Sequence, residues 1–389
     1  MNKAIYFNTD EILPALTMAN SVIPPKPSLA ILNDVCIETK DDGNGGVFAL
    51  LTTSDSETWL QIKAQLDSPT EIGVKICVEG KALLQALRNL SGQQITMEIR
   101  EDTQLIVCKY ANGHFHLPYE NADVFPMPKE ITEDATIKLR LDAKKVLVGI
   151  EKAGYATAND ELRPVMNGVH IDFLSDGMVF VATDGLKLAK YKDLTITYEK
   201  ESDESASGFT LPKKPCNTLM NVLANIEDGD IQVQFNTHSV IVNNTMFKMT
   251  SRLIEGRFPN YDSVIPKDNE KVITLDKNAF VSALKRVSPM YNVNNELVVL
   301  TFANNGATIS AENIDFNKAA SETIPCDYTQ ESFVIGFKGS TLLQVLQSIS
   351  GDSIKFLLND PKRAGVIRES EDNQVYDYTS LVMPMLING

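Results

Sequence analysis

Apolar positions recur along the chain in a pattern that is repeated three times. One block places apolar side chains on one face of a helix, and its copies begin at Phe7, Leu141 and Leu275, a constant shift of 134 residues. An Asn or Asp that can cap the first turn precedes each helix. The capping residues and predicted buried faces are Asn8 with Ile12, Leu16 and Ala19; Asp142 with Val146, Ile150 and Ala153; and Asp276 with Phe280, Leu284 and Val287. Pro14 lies inside the first helix and is expected to kink or shorten it.

A second block, also present three times, joins another amphipathic helix to a turn and an alternating strand. Its copies begin at Lys81, Asn217 and Ser340, with apolar side chains at matching positions. Each repeat then closes on a proline-bearing segment, at 123–128, 256–266 and 381–385. The pattern therefore predicts an α+β fold, with three tandem repeats of a two-helix, antiparallel-sheet domain. The predicted domains are 1–133, 134–268 and 269–389.

Short charged segments connect the predicted domains. The stretches 129–134 and 267–271 take the place of flexible linkers, so neighbouring domains are expected to pack edge to edge. The acidic stretch 199–207 and the run at 41–46 are predicted to be solvated loops.

Composition is that of an ordinary globular protein. Of the 389 residues, 43% are hydrophobic and 22% are charged. The longest apolar runs fall short of the roughly 18 residues that a membrane-spanning helix needs. The amino terminus lacks a signal-peptide pattern, so a cytoplasmic location without membrane association is expected. The five cysteines stand far apart without a C-x-x-C motif, which favours small buried hydrophobes over disulfides or a zinc site.

Motifs for catalysis or cofactor binding are missing from the sequence. Glycine-rich phosphate loops do not occur, and neither do the metalloprotease and serine-hydrolase motifs. His114 and His116 could in principle hold a metal, but no third ligand is near in the sequence, which favours an ordinary strand. The dipeptide at 80–81 is predicted to start a helix, and Asp184 to be a turn residue. We therefore expect a protein without enzymatic activity, metal or cofactor.

Charge is distributed unevenly along the chain. The net charge of −15 opposes a general grip on nucleic acid, because like charges repel. Cations nevertheless recur on the predicted helices, and the spacing of Lys145 and Lys152 predicts that both point away from the buried face. This pattern favours weak phosphate contacts that do not read sequence. The cations predicted to face nucleic acid are Lys81, Arg88, Lys145, Lys152, Lys213, Lys214, Lys277, Lys285 and Arg286.

Three segments carry a resemblance to a known family. They are VATDGLKLA at 181–189, SRLIEGRFPNYDSVIP at 251–266 and LVMPM at 381–385. In combination they resemble the bacterial DNA polymerase III beta subunit, the replicative sliding clamp. The resemblance implies a ring of two copies, joined head to tail around duplex DNA, that acts as a non-catalytic processivity factor. It also implies docking by the DNA polymerase III alpha subunit, the clamp loader and other proteins with a clamp-binding motif.

The same resemblance implies two protein-binding surfaces. One is a hydrophobic peptide cleft between domains 2 and 3, formed by Met166, Thr183, Gly185, Leu186, Lys187, Leu188, Pro259, Val264, Leu381, Val382, Met383, Pro384 and Met385. The other is the contact between the two copies, formed by Phe115, Leu117, Pro289 and Met290.

Two departures from the family pattern fall in the expected cleft. The family commonly has His-Arg-Leu after ATDG, whereas this chain has Leu186, Lys187 and Leu188. Family chains commonly end in Met-Arg-Leu, whereas Met385 is followed here by Leu386. The more apolar rim is expected to shift the peptide preference.

Two other functions stay open at the level of the sequence. One is a clamp-like peptide hub that no longer encircles DNA, because the first helix of domain 1 carries few cations. The other is a hydrolase whose dispersed site escapes motif recognition.

Overall fold

The computed structural model describes residues 3–129, 137–196, 208–226, 229–371 and 373–387. These residues form two compact units. The first takes those within Met1–Lys144 and Asn217–Leu253, and the second takes those within Lys145–Thr197, Ala206–Cys216 and Ile254–Gly389. The division passes through the second predicted domain.

The described residues form seven helices. They are α1 (Thr9–Asn20), α2 (Gly80–Arg88), α3 (Ala143–Gly154), α4 (Lys213–Ala224), α5 (Tyr261–Val264), α6 (Lys277–Val287) and α7 (Gly339–Ser348). All except α5 are the helices that the two repeated blocks predict. The repeats do not predict α5, a single turn inside the second proline-bearing segment.

The predicted helix faces and two of the three predicted caps agree with the structure. Every side chain of the three predicted stripes is buried. The Asn8 side chain accepts from the Asp10 amide at 2.9 Å, and the Asp276 side chain accepts from the Ala279 amide at 2.6 Å.

Pro14 does not shorten its helix. α1 continues through Pro14 to Asn20, so that part of the expectation is wrong. Proline has no backbone N–H, so one hydrogen bond of the helix is missing. Ile12 and Leu16, on either side of Pro14, are buried in the core, and the free energy of burying them outweighs that loss.

The described residues also form 24 strands, and every pairing between them is antiparallel, as predicted. They are β1 (Lys3–Asn8), β2 (Asp34–Asp41), β3 (Val47–Ser54), β4 (Thr58–Leu66), β5 (Lys75–Glu79), β6 (Gln94–Arg100), β7 (Leu105–Tyr110), β8 (Gly113–Asn121), β9 (Ile137–Asp142), β10 (Gly168–Leu174), β11 (Gly177–Thr183), β12 (Lys187–Asp193), β13 (Gly208–Pro212), β14 (Asp230–Phe235), β15 (Ser239–Asn243), β16 (Phe247–Arg252), β17 (Lys271–Asp276), β18 (Leu297–Ala303), β19 (Gly306–Asn313), β20 (Lys318–Pro325), β21 (Phe333–Lys338), β22 (Ser353–Leu358), β23 (Gly365–Glu369) and β24 (Tyr376–Val382).

Each unit is built on its own sheets. The first unit contains one 12-stranded sheet in the order β1-β6-β7-β8-β5-β2-β3-β4-β16-β15-β14-β9. The second contains an eight-stranded sheet, β13-β10-β11-β12-β24-β23-β22-β17, and a four-stranded sheet, β20-β19-β18-β21. Helices cover the sheets and supply the buried apolar stripes that form the core.

Strands from different predicted domains pair directly. In the first unit β4 pairs with β16, and in the second β12 pairs with β24. Both joints are therefore made by main-chain hydrogen bonds, and the expectation of edge-to-edge packing is confirmed.

Other expectations from the sequence can be compared with the described residues. All five cysteines are buried and free, as predicted. Of the run at 41–46, residue 41 ends β2 and residues 42–46 form the turn between β2 and β3. The stretches 130–134 and 199–207 lie outside the described residues. In the part of the chain that the structure describes, no helix is long and apolar enough to cross a membrane.

Gly149 marks a close approach between α3 and the eight-stranded sheet. A Cβ atom at this position would lie 2.3 Å from ring atoms of the fully buried Phe180. Gly154, at the end of the same helix, has room, because the nearest atom to a Cβ there is a Val169 methyl at 4.0 Å.

We predict that Gly149→Ala destabilises the protein by about 1–3 kcal/mol, because overpacking exceeds the gain in helix propensity of roughly 1 kcal/mol. The matched control Gly154→Ala should keep the free energy of unfolding unchanged or raise it. Urea unfolding followed by circular dichroism measures both variants. Equal stabilities would contradict the close approach.

Candidate functional site

A tight turn joins β11 to β12 in the second unit. Gly185 has a φ of +88°, a left-handed conformation that glycine adopts without strain. The Asp184 carboxylate closes the turn, since Oδ1 accepts from the backbone N–H groups of Leu186 and Lys187, both at 2.8 Å. Asp184 is therefore a turn residue, as the sequence predicts.

The turn buries its cation and exposes an apolar side chain. Lys187 is only 9% exposed, and its Nζ lies 2.6 Å from Oδ2 of Asp184. Leu186 is 63% exposed. The turn thus presents leucine to its surroundings while the neighbouring positive charge is neutralised inside it.

An apolar cluster, here called the cleft floor, adjoins this turn. Leu188 and Leu381 are directly opposite each other on β12 and β24. All three segments that carry the family resemblance contribute residues to the cluster. Its buried members are Val179, Val181, Leu188, Phe258, Ala364 and Leu381, and Val165, Leu174, Tyr261 and Ile265 pack against it.

The carboxyl-terminal segment crosses the turn after β24. The backbone N–H of Met383 donates to the carbonyl oxygen of Leu186 at 2.7 Å. The N–H of Met385 donates to the carbonyl of Gly336, on β21, at 2.8 Å. Met383 and Leu386 remain exposed, so the segment adds apolar surface beside Leu186.

The predicted cleft residues all lie in the second unit, but they differ in burial. Val264, on α5, is 54% exposed, and the adjoining Ile265 packs on the cleft floor. The buried members, which form the floor or the core below it, are Thr183, Lys187, Leu188, Leu381 and Val382. The exposed or half-buried members are Met166, Gly185, Leu186, Pro259, Val264, Met383, Pro384 and Met385.

Eight members of the floor are missing from the predicted cleft residues, and they are Leu174, Val179, Val181, Tyr261, Ile265, Ala364, Phe258 and Val165. The last two carry a signal in the sequence. Phe258 is buried in it, and Val165 packs against it. Each directly precedes a predicted cleft residue, Pro259 and Met166 respectively. That adjacency, together with their apolar character, is the signal that could have identified them.

Three cations on the segments around the floor are paired with acids. Arg163 lies 2.8 Å from Asp160, and its hydrogen bond lowers the pKa of that carboxyl. Nζ of Lys190 lies 2.5 Å from Asp262. Together with the Lys187–Asp184 pair, these contacts neutralise three cations near the floor.

The cations predicted to face nucleic acid have different surroundings. Those exposed to solvent are Lys81, Arg88, Lys213, Lys214 and Lys285. Arg286 is also exposed, but its Nε and Nη2 donate to the Glu322 carboxylate at 2.8 and 2.5 Å. The charge of Arg286 is therefore largely neutralised by Glu322.

Lys145 and Lys152 do not form the solvent-side pair that their spacing predicts. Nζ of Lys145 donates to the carbonyl and hydroxyl oxygens of Thr195 at 3.1 and 2.7 Å. Nζ of Lys152 donates to the Ser348 carbonyl and the Ser350 hydroxyl, both at 2.5 Å. The prediction is wrong because helix periodicity does not include neighbours from remote segments.

Two ammonium groups meet at the carboxyl-terminal end of α7. Besides Lys152, Lys277 donates from Nζ to the Ile349 carbonyl at 2.7 Å. This end of a helix carries the negative pole of its dipole, which favours cations. Burial, the largest cause, lowers the pKa of Lys152; the charge of Glu369 opposes this shift and that of Lys277 adds to it. Both lysines thus hold α7 in place.

The residues expected between two copies lie at strand and helix ends. On β8, Phe115 and Leu117 are half-buried on one face, whereas His114 and His116 are exposed on the other. Pro289 is exposed and Met290 half-buried directly after α6. Within the described residues, no group of three or more His, Cys, Asp or Glu side chains could hold a metal ion.

Repeated two-helix modules, direct strand pairing between them and an apolar cleft beside one joint are together typical of sliding clamps. Comparison of the sequence with protein-family models indicates the same class of protein. The N-terminal, central and C-terminal domain models of the DNA polymerase III beta subunit match residues 4–129, 140–260 and 262–386. The chain belongs to the DNA polymerase III beta subunit family.

Individual relatives are similar over nearly their whole length. The beta sliding clamp of Pseudomonas putida is 26% identical over 376 residues, 97% of this chain and 98% of the relative. That of Haemophilus influenzae is 27% identical over 378 residues, again 97% and 98%.

Solved structures share the fold. A Bartonella birtlesii sliding clamp bound to griselimycin has a TM-score of 0.88 at 23% identity, and the alignment covers 100% of this chain and 100% of that one. The Thermotoga maritima DNA polymerase III beta subunit has a TM-score of 0.85 at 21% identity, with coverage of 99% of this chain and 100% of that one.

Proposed function

We propose that the protein is a DNA sliding clamp, a non-catalytic processivity factor. Two copies, each with domains 1–133, 134–268 and 269–389, form a ring around duplex DNA. The cleft beside the β12–β24 joint tethers the DNA polymerase III alpha subunit, the clamp loader and other proteins that carry a clamp-binding motif. Membership of the beta subunit family over nearly the full chain is the observation that carries this proposal.

Two unpaired strand edges support the head-to-tail ring. β20 is one of the two edge strands of the four-stranded sheet. β5 pairs only with Tyr119–Asn121 of β8, so the remaining part of β8 has a strand on one side alone among the described residues. Pairing β8 of one copy with β20 of the other would extend the same edge-to-edge contact that joins β4 to β16 and β12 to β24. Two such contacts close a two-copy ring.

Apolar side chains accompany both edges. Phe115 and Leu117 lie on β8, and Pro289 and Met290 follow α6. Ile314 and Phe316, just before β20, are 82% and 69% exposed. Large apolar side chains exposed next to a free strand edge are typical of surfaces that another chain covers.

The charge distribution favours encirclement over a tight grip. Phosphate binding needs free cations, yet Lys145, Lys152, Lys277 and Arg286 make internal contacts, and the net charge is −15. A closed ring stays on DNA without strong contacts and can slide. The exposed lysines and Arg88 then need only weak, sequence-independent contacts with phosphates.

The cleft is suited to an apolar peptide. Its rim exposes Leu186, Val264 and Met383 near a buried apolar floor. Two lysines beside the floor, Lys187 and Lys190, are paired with acids. Methionine repacks easily around different partners. The griselimycin complex of the Bartonella birtlesii clamp supports the inference that this chain also binds griselimycin here. Leu186 and the apolar end of the chain shift the preferred peptide towards apolar side chains.

The topological link can be tested directly. When the protein is loaded by its clamp loader onto nicked circular DNA, it should elute with the DNA in gel filtration and be lost when a restriction enzyme linearises the circle. Phe115→Asp should weaken the contact between copies and abolish retention on the circle, whereas His114→Asp, on the opposite face of β8, should retain it.

Retention on linear DNA would contradict encirclement. One observation supports the alternative, a peptide hub that does not encircle DNA. The first turn of α1 carries two acids, and its last turn carries no basic residue. This alternative predicts that the protein binds griselimycin but is never retained on circular DNA.

A further inference from the structure

One wall of the cleft is tied to the eight-stranded sheet by a chain of hydrogen bonds. The wall is the segment 258–265, which includes Pro259 and Val264. The Tyr261 hydroxyl donates to Oδ2 of Asp172, on β10, at 2.7 Å. Oδ1 of the same carboxylate lies 3.1 Å from Nε2 of His170.

Both ring nitrogens of His170 have partners. A carboxylate only accepts, so Nε2 carries a proton and donates to Asp172. Nδ1 lies 2.9 Å from the Thr210 hydroxyl, which donates to it when the ring is neutral. The ring also stacks on Phe258, with centroids 4.7 Å apart and planes inclined by 4°. His170 thus fixes the orientation of Asp172 and supports the residue that begins the wall.

The charge state of Asp172 favours a strong contact. Burial alone would raise the pKa of Asp172, but the hydrogen bond and charge of His170 and the hydrogen bond of Tyr261 hold it below its ordinary value. Burial and the neighbouring carboxylate raise the pKa of Tyr261. At neutral pH a neutral phenol therefore donates to an anion in a half-buried site, which is a charge-assisted hydrogen bond.

A second contact on the same wall is more exposed. Lys190 pairs with Asp262 at 2.5 Å and lies 5.3 Å from the centre of the Tyr261 ring. The Asp262 side chain is 60% exposed, so solvent weakens this pair. The Tyr261–Asp172 hydrogen bond is the stronger of the two ties.

Resting on the proposed peptide-binding function, we propose that Asp172 and Tyr261 are positioning residues of the cleft. Their hydrogen bond, oriented by His170, holds the segment 258–265 in the position that binds ligand. Neither residue needs to touch the ligand, because the effect reaches it through the wall.

Tyr261→Phe removes the hydroxyl and keeps the ring. We predict faster amide hydrogen exchange in 258–265 and an affinity for griselimycin about five- to twentyfold lower, because the wall passes on only part of the roughly 12- to 150-fold effect of losing a hydrogen bond to a charged group. Asp172→Asn keeps an acceptor for Tyr261, so it should lose less affinity than Asp172→Ala.

The matched control is Tyr328→Phe. The hydroxyl of the buried Tyr328 donates to the Glu331 carbonyl at 2.8 Å, away from the wall. This variant should lose some thermal stability, since it also loses a hydrogen bond from a tyrosine hydroxyl, and should bind griselimycin like the unmodified protein. Unchanged affinity of Tyr261→Phe would overturn the proposal. If the unmodified protein does not bind griselimycin, that part of the proposed function fails, and hydrogen exchange still decides whether the tie holds the wall.

A separate feature, in the first unit, is a pair of facing cysteines. Cys36 on β2 and Cys77 on β5 are directly opposite each other. The Thr39 amide donates to the Val74 carbonyl at 2.9 Å, so Thr39 and Val74 form a hydrogen-bonded pair. The cysteine pair lies three residue pairs further along the same two strands. Hydrogen-bonded and non-hydrogen-bonded pairs alternate, so the cysteines form a non-hydrogen-bonded pair, whose Cα atoms are about 4.5 Å apart. A disulfide spans about 4.4–6.8 Å between Cα atoms.

The two thiols shift each other's pKa in opposite directions. The hydrogen bond from Cys77 lowers the pKa of Cys36, although burial opposes this shift. The same hydrogen bond and burial raise the pKa of Cys77. Both sulfurs lie in an apolar cluster with Leu32, Ala122 and Phe125. Cys36 is therefore the better nucleophile of the pair.

We infer that Cys36 and Cys77 form a latent disulfide site that hydrogen peroxide oxidises. The sulfur of Cys36 attacks one peroxide oxygen, the O–O bond breaks, and the leaving hydroxide takes the thiol proton to form water. The sulfur of Cys77 then attacks the resulting sulfenic acid of Cys36, the S–O bond breaks, and the hydroxide leaves with the Cys77 proton as water. In total, two thiols are oxidised and one peroxide is reduced to two waters.

The remaining cysteines provide internal controls. Burial raises the pKa of Cys108 and of Cys216 to about 12, which keeps both as thiols. Cys326 is also buried, and burial raises its pKa.

Mass spectrometry of the full chain after peroxide treatment tests the site. We predict a loss of about 2 Da, a cross-linked peptide pair containing Cys36 and Cys77, and alkylation of only the other three of the five cysteines after unfolding. Cys77→Ala should instead gain about 16 Da per added oxygen at Cys36. If all five cysteines remain alkylatable, or the unmodified chain gains only oxygen, the proposal is overturned.

Discussion

Main-chain hydrogen bonds between strands of different repeats are the interaction on which the rest of the structure depends. An isolated strand edge leaves backbone donors and acceptors without partners, and pairing satisfies them in a fixed register. β4 with β16, and β12 with β24, meet in this way and make continuous sheets from separate repeats. Among the described residues, part of β8 and the outer side of β20 have no such strand partner, and the proposed second copy would pair with them.

The cleft is a consequence of one of these joints. Leu188 and Leu381 are opposite each other where β12 meets β24, and both are in the cleft floor. The turn before β12 and the segment after β24 then meet through the Met383–Leu186 hydrogen bond. The proposed peptide-binding surface is thus located where two repeats join, and the hydrogen bond from Tyr261 to Asp172 ties its wall to the sheet.

Much of the fold could be predicted from the sequence because the repeats carry local information. Apolar spacing identifies six helices and their buried faces, and Asn8 and Asp276 cap their helices as expected. The surroundings of the cations could not be predicted in the same way. Lys152 and Lys277 contact the end of α7 only because segments remote in the sequence come together. The apolar spacing of the helix that carries each lysine does not predict this contact. The roles of His170 and Asp172 likewise depend on the position of Tyr261, 89 residues beyond Asp172.

The central claim is that strand pairing continues between two copies until the chain of repeats closes on itself. Negative-stain electron microscopy of the purified protein tests this most directly. The account predicts annular particles of two copies, with six similar lobes and a central hole that admits duplex DNA. Open arcs, or compact particles without a hole, at concentrations where light scattering shows two copies would contradict it.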